Sequence, residues 1–262
     1  MKRYIPFMKN DPEVAVVRLD GLIAAGRGLN DNGIGPVLEK AFSGKRAAVA
    51  LVINSPGGSP VQSALIGARI RRLAEEKETP VYAFVEDVAA SGGYWLAAAA
   101  DEIFVDESSV IGSIGVISAG FGFPEALERY GVERRVYTAG KSKSMNDPFR
   151  PAKDEDVARL KVLLDDIHQT FIDHVSHRRG AKLAEDDRLF TGEIWVGRKG
   201  VDVGLADAVG HITPVLRERF GKKVKFRRYG QRKPLLSRLG ARVLGDLSHG
   251  VEERAAYAQF GL

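Results

Sequence analysis

Short apolar runs alternate with amphipathic stretches through most of the chain. Val14-Ala15-Val16-Val17-Arg18-Leu19 reads as a buried strand closed by an Asp20-Gly21 turn. Ala47–Ile53 is a second apolar run, and it ends in the dense turn Asn54-Ser55-Pro56-Gly57-Gly58-Ser59-Pro60. Val61 to Lys77 then has helical spacing (Ala64, Ile66, Ala68, Ile70, Leu73) until Thr79-Pro80 stops it. Val81-Tyr82-Ala83-Phe84-Val85 is a third strand. A second small-residue turn, Ala89-Ala90-Ser91-Gly92-Gly93, opens an apolar helix, and Ile103-Phe104-Val105 follows as a fourth strand. Strand and helix alternating with short joins is the pattern of parallel α/β architecture. Beyond it, Gly140 to Pro151 is a polar, Lys- and Ser-rich loop. An amphipathic helix from about Glu155 to His177 follows, with Val157, Leu160, Leu164, Ile167, Phe171 and Val175 on one face. After Pro234 a last helical stretch mixes Leu235, Leu236, Leu239, Val243, Leu244 and Leu247 with arginines.

At 262 residues the chain can bury a full core. With no cysteine, disulfides, thiol catalysis and thiolate metal sites are excluded. The five histidines show no metal-binding spacing. Charge divides the chain. Residues 213–262 hold twelve Lys or Arg against four Asp or Glu, a net of +8, whereas the whole chain carries +5. The division expected is a domain over 1–212 and a basic, partly helical extension over 213–262. Because the basic character sits in the tail and not in the body, the chain does not read as a nucleic-acid binder. The apolar runs fall short of the ~20 residues that cross a bilayer, and no secretory leader is visible. The location expected is therefore the cytoplasm, with peripheral contact at the inner membrane through the tail.

The candidate chemistry lies in the two glycine-rich turns, since ligands of parallel sheets bind at the carboxyl ends of strands. Ser91 stands at a strand-to-helix turn with Ala before it and Gly-Gly after it. A nucleophilic serine needs that exposure and a backbone N–H behind it. The Gly92 amide and one from Gly57-Gly58 can face the same developing oxyanion. The competing reading is that both turns only pack. For the base, His168 and His174 fall inside the amphipathic helix and read as ordinary helix residues. A lysine of the Gly140-Lys141-Ser142-Lys143 loop is the other candidate. A free lysine titrates near ~10.4, so it must be held neutral by burial or a neighbouring dipole.

Four groups of residues in order carry a resemblance to the signal peptide peptidase A family. They are Asn54-Ser55-Pro56-Gly57-Gly58; Ala90-Ser91-Gly92-Gly93-Tyr94; Ile111-Gly112-Ser113-Ile114-Gly115-Val116; and Gly140-Lys141-Ser142-Lys143 with Pro148. Phe190-Thr191-Gly192 and Gly200 to Asp207 extend it, so that it covers roughly 14–210. The resemblance implies a ClpP/crotonase-like spiral of ββα units and a serine endopeptidase acting on apolar peptides such as remnant signal peptides. It implies Ser91 as nucleophile, Lys143 as general base with Lys141 as the competing assignment, Ser113 orienting the lysine, and Gly58 and Gly92 as the oxyanion hole. It also implies ring-shaped homo-oligomers with sites near the subunit interfaces, where Lys143 serves either its own subunit or a neighbour's serine, and a reaction that needs no metal or cofactor. Many members carry an N-terminal membrane anchor, which this sequence does not show. Two alternatives stand beside this reading. One is a crotonase-type acyl-CoA enzyme on the same fold, with Glu86 and Asp87 as the carboxylates to test. The other is a non-catalytic membrane-associated scaffold.

Overall fold

In the computed structural model, which describes residues 11–26, 28–140, 142–230 and 253–262, the apolar runs become the centre of one mostly parallel sheet. Strands β1 (Glu13–Asp20), β2 (Ala48–Ser55) and β3 (Val81–Ala90) lie side by side in parallel, Val14 opposite Ala48 and Val49 opposite Val81. Their side chains are buried on both faces, which is why they read as continuous apolar runs and not as alternating ones. One face packs on α1 (Asp31–Phe42), α2 (Pro60–Glu76) and α3 (Gly92–Ala98) around Leu19, Leu38, Leu51, Ile66 and Leu96.

β3 is longer than its apolar run suggests and serves two partners. Residues 82–84 pair with β4 (Glu102–Val105), and residues 88–90 pair with β5 (Val110–Gly112). The sheet therefore forks at β3, and the fork aims the end of β3 at the start of α3. This is the α/β class expected, built from strand pairs and covering helices.

Each helix starts where the sequence supplies a cap. Ser59 caps α2 with Pro60 in its first turn. The Asn30 side chain accepts the Gly33 N–H at 2.9 Å to start α1. Arg69 of α2 then grips Asp31 of α1 through two 2.7 Å hydrogen bonds. The 26-residue α5 (Asp154–Arg179) opens on three acidic residues and ends on His177, Arg178 and Arg179, matching its dipole. A short α4 (Pro124–Arg129) precedes it.

Of the six apolar positions expected to pack along α5, Phe171 and Val175 are buried, whereas Val157 and Ile167 are exposed. The first half of α5 is largely exposed, as is the preceding segment 116–153, whose described residues form no strand. That segment leaves Ile117, Phe121, Tyr130 and Tyr137 about four-fifths or more exposed.

The sheet is finished by β6 (Ile194–Val196), antiparallel to β5; β7 (Ala208–Val209), beside β4; and β8 (Lys225–Tyr229), parallel to β1. A short α6 (Arg198–Asp202) joins β6 to β7. β8 comes from the stretch whose charge suggested an extension. Its exposed Lys225, Arg227 and Arg228 suit an edge that must not pair further. α7 (Ile212–Phe220) covers part of the second sheet face over Val14, Ala48, Tyr82 and Phe104. The helical stretch read after Pro234 lies outside the described residues. Residues 253–258 form a last helical turn.

Candidate active site

The two glycine-rich turns meet. A methyl group added at Gly57 would fall 2.7 Å from the Gly92 nitrogen and 2.8 Å from the Ser91 Cβ, so the backbones touch there. Gly58, at φ +135°, is a conformation that side chains rarely adopt. It is fixed by two hydrogen bonds on either side, Ile23 N–H to the Gly57 carbonyl at 2.8 Å and Ser59 N–H to the Ile23 carbonyl at 2.7 Å. A methyl on Gly92 would lie 3.4 Å from the Gly58 nitrogen, so the two amides expected to hold an oxyanion are neighbours.

Ser91 itself has φ +50° and ψ −123°, a strained backbone for a residue with a side chain. It persists because its neighbours over-determine it. The Ser91 N–H donates to the Gly112 carbonyl at 2.8 Å, and its carbonyl accepts the Trp95 N–H at 3.0 Å. The first of these bonds ties the turn to the end of β5, where Ser113, at φ +52°, follows directly.

Ser91, Gly58, Gly92 and Ser113 all line one cavity of about 580 Å³. Its other walls are largely apolar: Leu22, Trp95, Val116, Ile117, Ile167 and Phe171. Four of the five residues expected at the site are thus brought together.

The fifth is not. Lys143 is exposed in the 142–147 turn, its N–H on the Gly140 carbonyl at 3.3 Å, and it does not line this cavity. The turn is held to its own segment by Asp147 and Arg134 at 3.0 Å. Lys141 lies outside the described residues.

The histidines have other duties. His174 stacks on the Trp95 ring at 4.2 Å and 5° and donates to the Trp95 carbonyl at 3.1 Å. Burial pushes it down to about 4, so it is neutral at physiological pH. His168 does line the cavity, but its Nε2 is engaged with the Ile114 carbonyl at 3.0 Å. That bond anchors the stretch after Ser113.

The carboxylates considered for an acyl-CoA chemistry are elsewhere. Glu86 pairs with Arg18 at 2.6 Å, Asp87 accepts from Asn54 at 2.7 Å, and neither lines the cavity with Ser91. Among the described residues no group of three His, Cys, Asp or Glu could hold a metal, and no helix is long and apolar enough to cross a membrane.

Sequence reasoning missed several lining residues. Trp95 stands one helical turn after Ser91, so helix periodicity could have put it in the wall. Thr191 and Gly192 were visible as a motif without a role. Ala256, Gln259 and Phe260 also line the cavity, and no local pattern announced them.

Comparison with known proteins bears on this geometry. Residues 73–224 match the profile of "Peptidase family S49". A Brucella melitensis protein named Na(+)/H(+) antiporter NhaA is 48% identical across 100% of this chain, which corresponds to 39% of that protein. The Arabidopsis thaliana chloroplastic serine protease SPPA is 31% identical over 77% of this chain and 31% of its own length. The chain therefore spans well under half the length of these curated relatives. Among solved structures, a mutant of the membrane-bound stomatin-specific protease 1510-N superposes with a TM-score of 0.49 and 14% identity, covering 84% of this chain and 98% of that one.

Proposed function

The chain belongs to peptidase family S49, and on that premise we propose that it is a serine endopeptidase whose nucleophile is Ser91 and whose general base is Lys143 of a second copy of the chain. The observation that carries the reading is the convergence of a strained Ser91 with the Gly58 and Gly92 amides on one apolar cavity. A hydroxyl raised on a sharp strand-to-helix turn, with backbone donors beside it, is suited to attack a peptide carbonyl.

Two features support lysine delivery from a neighbour. Lys143 is outside its own cavity, and the segment that bears it exposes Ile117, Phe121, Tyr130 and Tyr137. Four large apolar side chains left exposed on one segment fit a surface that another protein covers. A heterologous contact repeated around a closed ring would carry each Lys143 to the next Ser91.

In the reaction, the neutral Lys143 amine takes the Ser91 proton as Oγ bonds to the carbonyl carbon. The Gly58 and Gly92 N–H groups hold the oxyanion, each worth ~2.7–4 kcal/mol of barrier. The lysine ammonium then gives its proton to the leaving amine as the C–N bond breaks. Water repeats the sequence on the acyl-enzyme. The Ser113 hydroxyl orients the amine.

The lining of Leu22, Trp95, Ile167 and Phe171 fits apolar peptides, and remnant signal peptides have that chemistry. The Brucella relative matches this whole chain within a longer one named for an ion antiporter, which supports work at a membrane surface.

The test is mass spectrometry after treatment with a fluorophosphonate, with native mass measured in parallel. One adduct per chain on Ser91, in an assembly of several 28.5 kDa copies, is the expected result. A folded assembly that takes up no reagent at Ser91, or a monomer that reacts at the full rate, would sink the proposal.

A further inference from the structure

The cavity that holds Ser91 has a wall built from the far end of the sequence. Ala256, Gln259 and Phe260 line it together with Gly58, Ser91 and Gly92. The Tyr257 hydroxyl donates to the Asn54 carbonyl at 2.8 Å, just before the Pro56-Gly57-Gly58 turn. Tyr257 and Phe260 pack on Val88 and Ala90 of β3 and on Val110 of β5, the strands that lead to Ser91 and Ser113. Glu253 closes over the end of β1, where a methyl at Gly21 would meet its Oε1 at 2.6 Å.

This segment therefore crosses the carboxyl ends of β1, β2 and β3 and reaches β5. In parallel α/β sheets that crevice is where the ligand lies. Its hold on the protein is modest. Arg254, Ala255, Ala258, Gln259, Gly261 and Leu262 remain exposed, and the helical part covers only 253–258. A short helix of that length draws little stability from its own backbone. Its side chains, three alanines with Tyr257 and Phe260, are of the apolar kind that the cavity wall receives.

We propose that residues 253–262 are an intramolecular occupant of the cleft, seated where a peptide binds and displaced by it. The inference rests on the peptidase reading of the cleft. A tethered segment acts at an effective concentration on the order of millimolar, so weak contacts suffice to keep it in place. If the cleft is closed about nine-tenths of the time, the apparent affinity for peptide falls about tenfold. A permanent wall of the substrate site would behave in the opposite way, because removing it would weaken peptide binding.

The two behaviours separate in the Tyr257→Ala/Phe260→Ala double variant of the full chain, compared with the unaltered chain at equal native mass and equal helical circular dichroism. KM for an apolar fluorogenic peptide and the rate of Ser91 acylation by a fluorophosphonate are measured for both. The occupant predicts a KM lower by about tenfold and a matching rise in acylation rate. It also predicts that a synthetic peptide of residues 253–262 competes with substrate on the double variant. An unchanged or higher KM, with Ser91 still acylated, would overturn the inference and leave the peptidase reading intact. No acylation of Ser91 in either protein would overturn both.

Discussion

Replacing Gly57 by Ala perturbs the junction of the two turns without removing any group assigned to the chemistry. The methyl would lie 2.7 Å from the Gly92 nitrogen and 2.8 Å from both the Ala90 carbonyl oxygen and the Ser91 Cβ. Ordinary contact begins at 3.4 Å, so the two backbones must part by about 0.7 Å. Neither side yields easily. Ser91 is tied to Gly112 and Trp95, and Gly58 is tied through its neighbours to Ile23. The residue also sits at φ +102°, where a side chain adds strain of about 1–3 kcal/mol. Two consequences follow. Stability falls by that amount, lowering the melting temperature by roughly 2–4 °C per kcal/mol. The Gly58 amide and Ser91 move relative to each other by a distance of the order that costs a catalyst about a hundredfold. The assay is kcat/KM on an apolar peptide beside a thermal melt of the same preparation. A variant that melts lower yet keeps kcat/KM within about threefold would mean that the turns serve packing alone, and the argument for the oxyanion site would fail.

Two further outcomes follow from single residues. Ser91→Gly removes the side chain from a backbone at φ +50°. The relief of about 1–3 kcal/mol, less the ~0.5–1 kcal/mol that glycine's freedom costs, centres on a net gain of about 1 kcal/mol, and so on a melting temperature about 2–4 °C higher in an inactive protein. A lower melting temperature would show that the hydroxyl stabilises the turn. His174 is neutral in the fold down to about 4, because burial against Trp95 outweighs its hydrogen bond to the Trp95 carbonyl. The unfolded chain binds that proton from about pH 6.5 downward, so stability is lost as pH falls from about 6.5 to 4, by up to about 3 kcal/mol. Urea melts at pH 7 and 4.5 should show this slope, and His174→Gln should flatten it; an equal slope in the variant would place the lost protons elsewhere.

The central strands were legible because the middles of β1, β2 and β3 are buried on both faces and leave few polar positions to blur the runs. β3 was cut short at Val85 because Glu86 and Asp87 point outward into ion-pair and amide contacts, yet its backbone continues to Ala90. α1 was hidden by Gly33, Gly35 and Pro36, poor helix residues that the fold tolerates because Asn30 caps the helix and Arg69 clamps it. β8 was read as charge alone, since an edge strand shows its solvent side to the reader first. At the site, Ser91 and the two glycine turns were legible because backbone geometry there is local, and glycine marks it. Lys143 was legible only through the family pattern. Nothing in its loop encodes a partner cavity, and within one chain it does not line the cavity that holds Ser91. The segment 253–262 carries no local mark of its destination, because what seats Tyr257 and Phe260 is a surface built from β3 and β5.

The most direct measurement of the central claim mixes two inactive chains. Ser91→Ala and Lys143→Ala variants are co-expressed, purified as the assembled protein and assayed on an apolar peptide. Because each working site needs Ser91 from one chain and Lys143 from the next, random assembly restores about a quarter of the unaltered activity. Assemblies of normal native mass with no recovered activity, or a Lys143→Ala protein fully active by itself, would contradict the account.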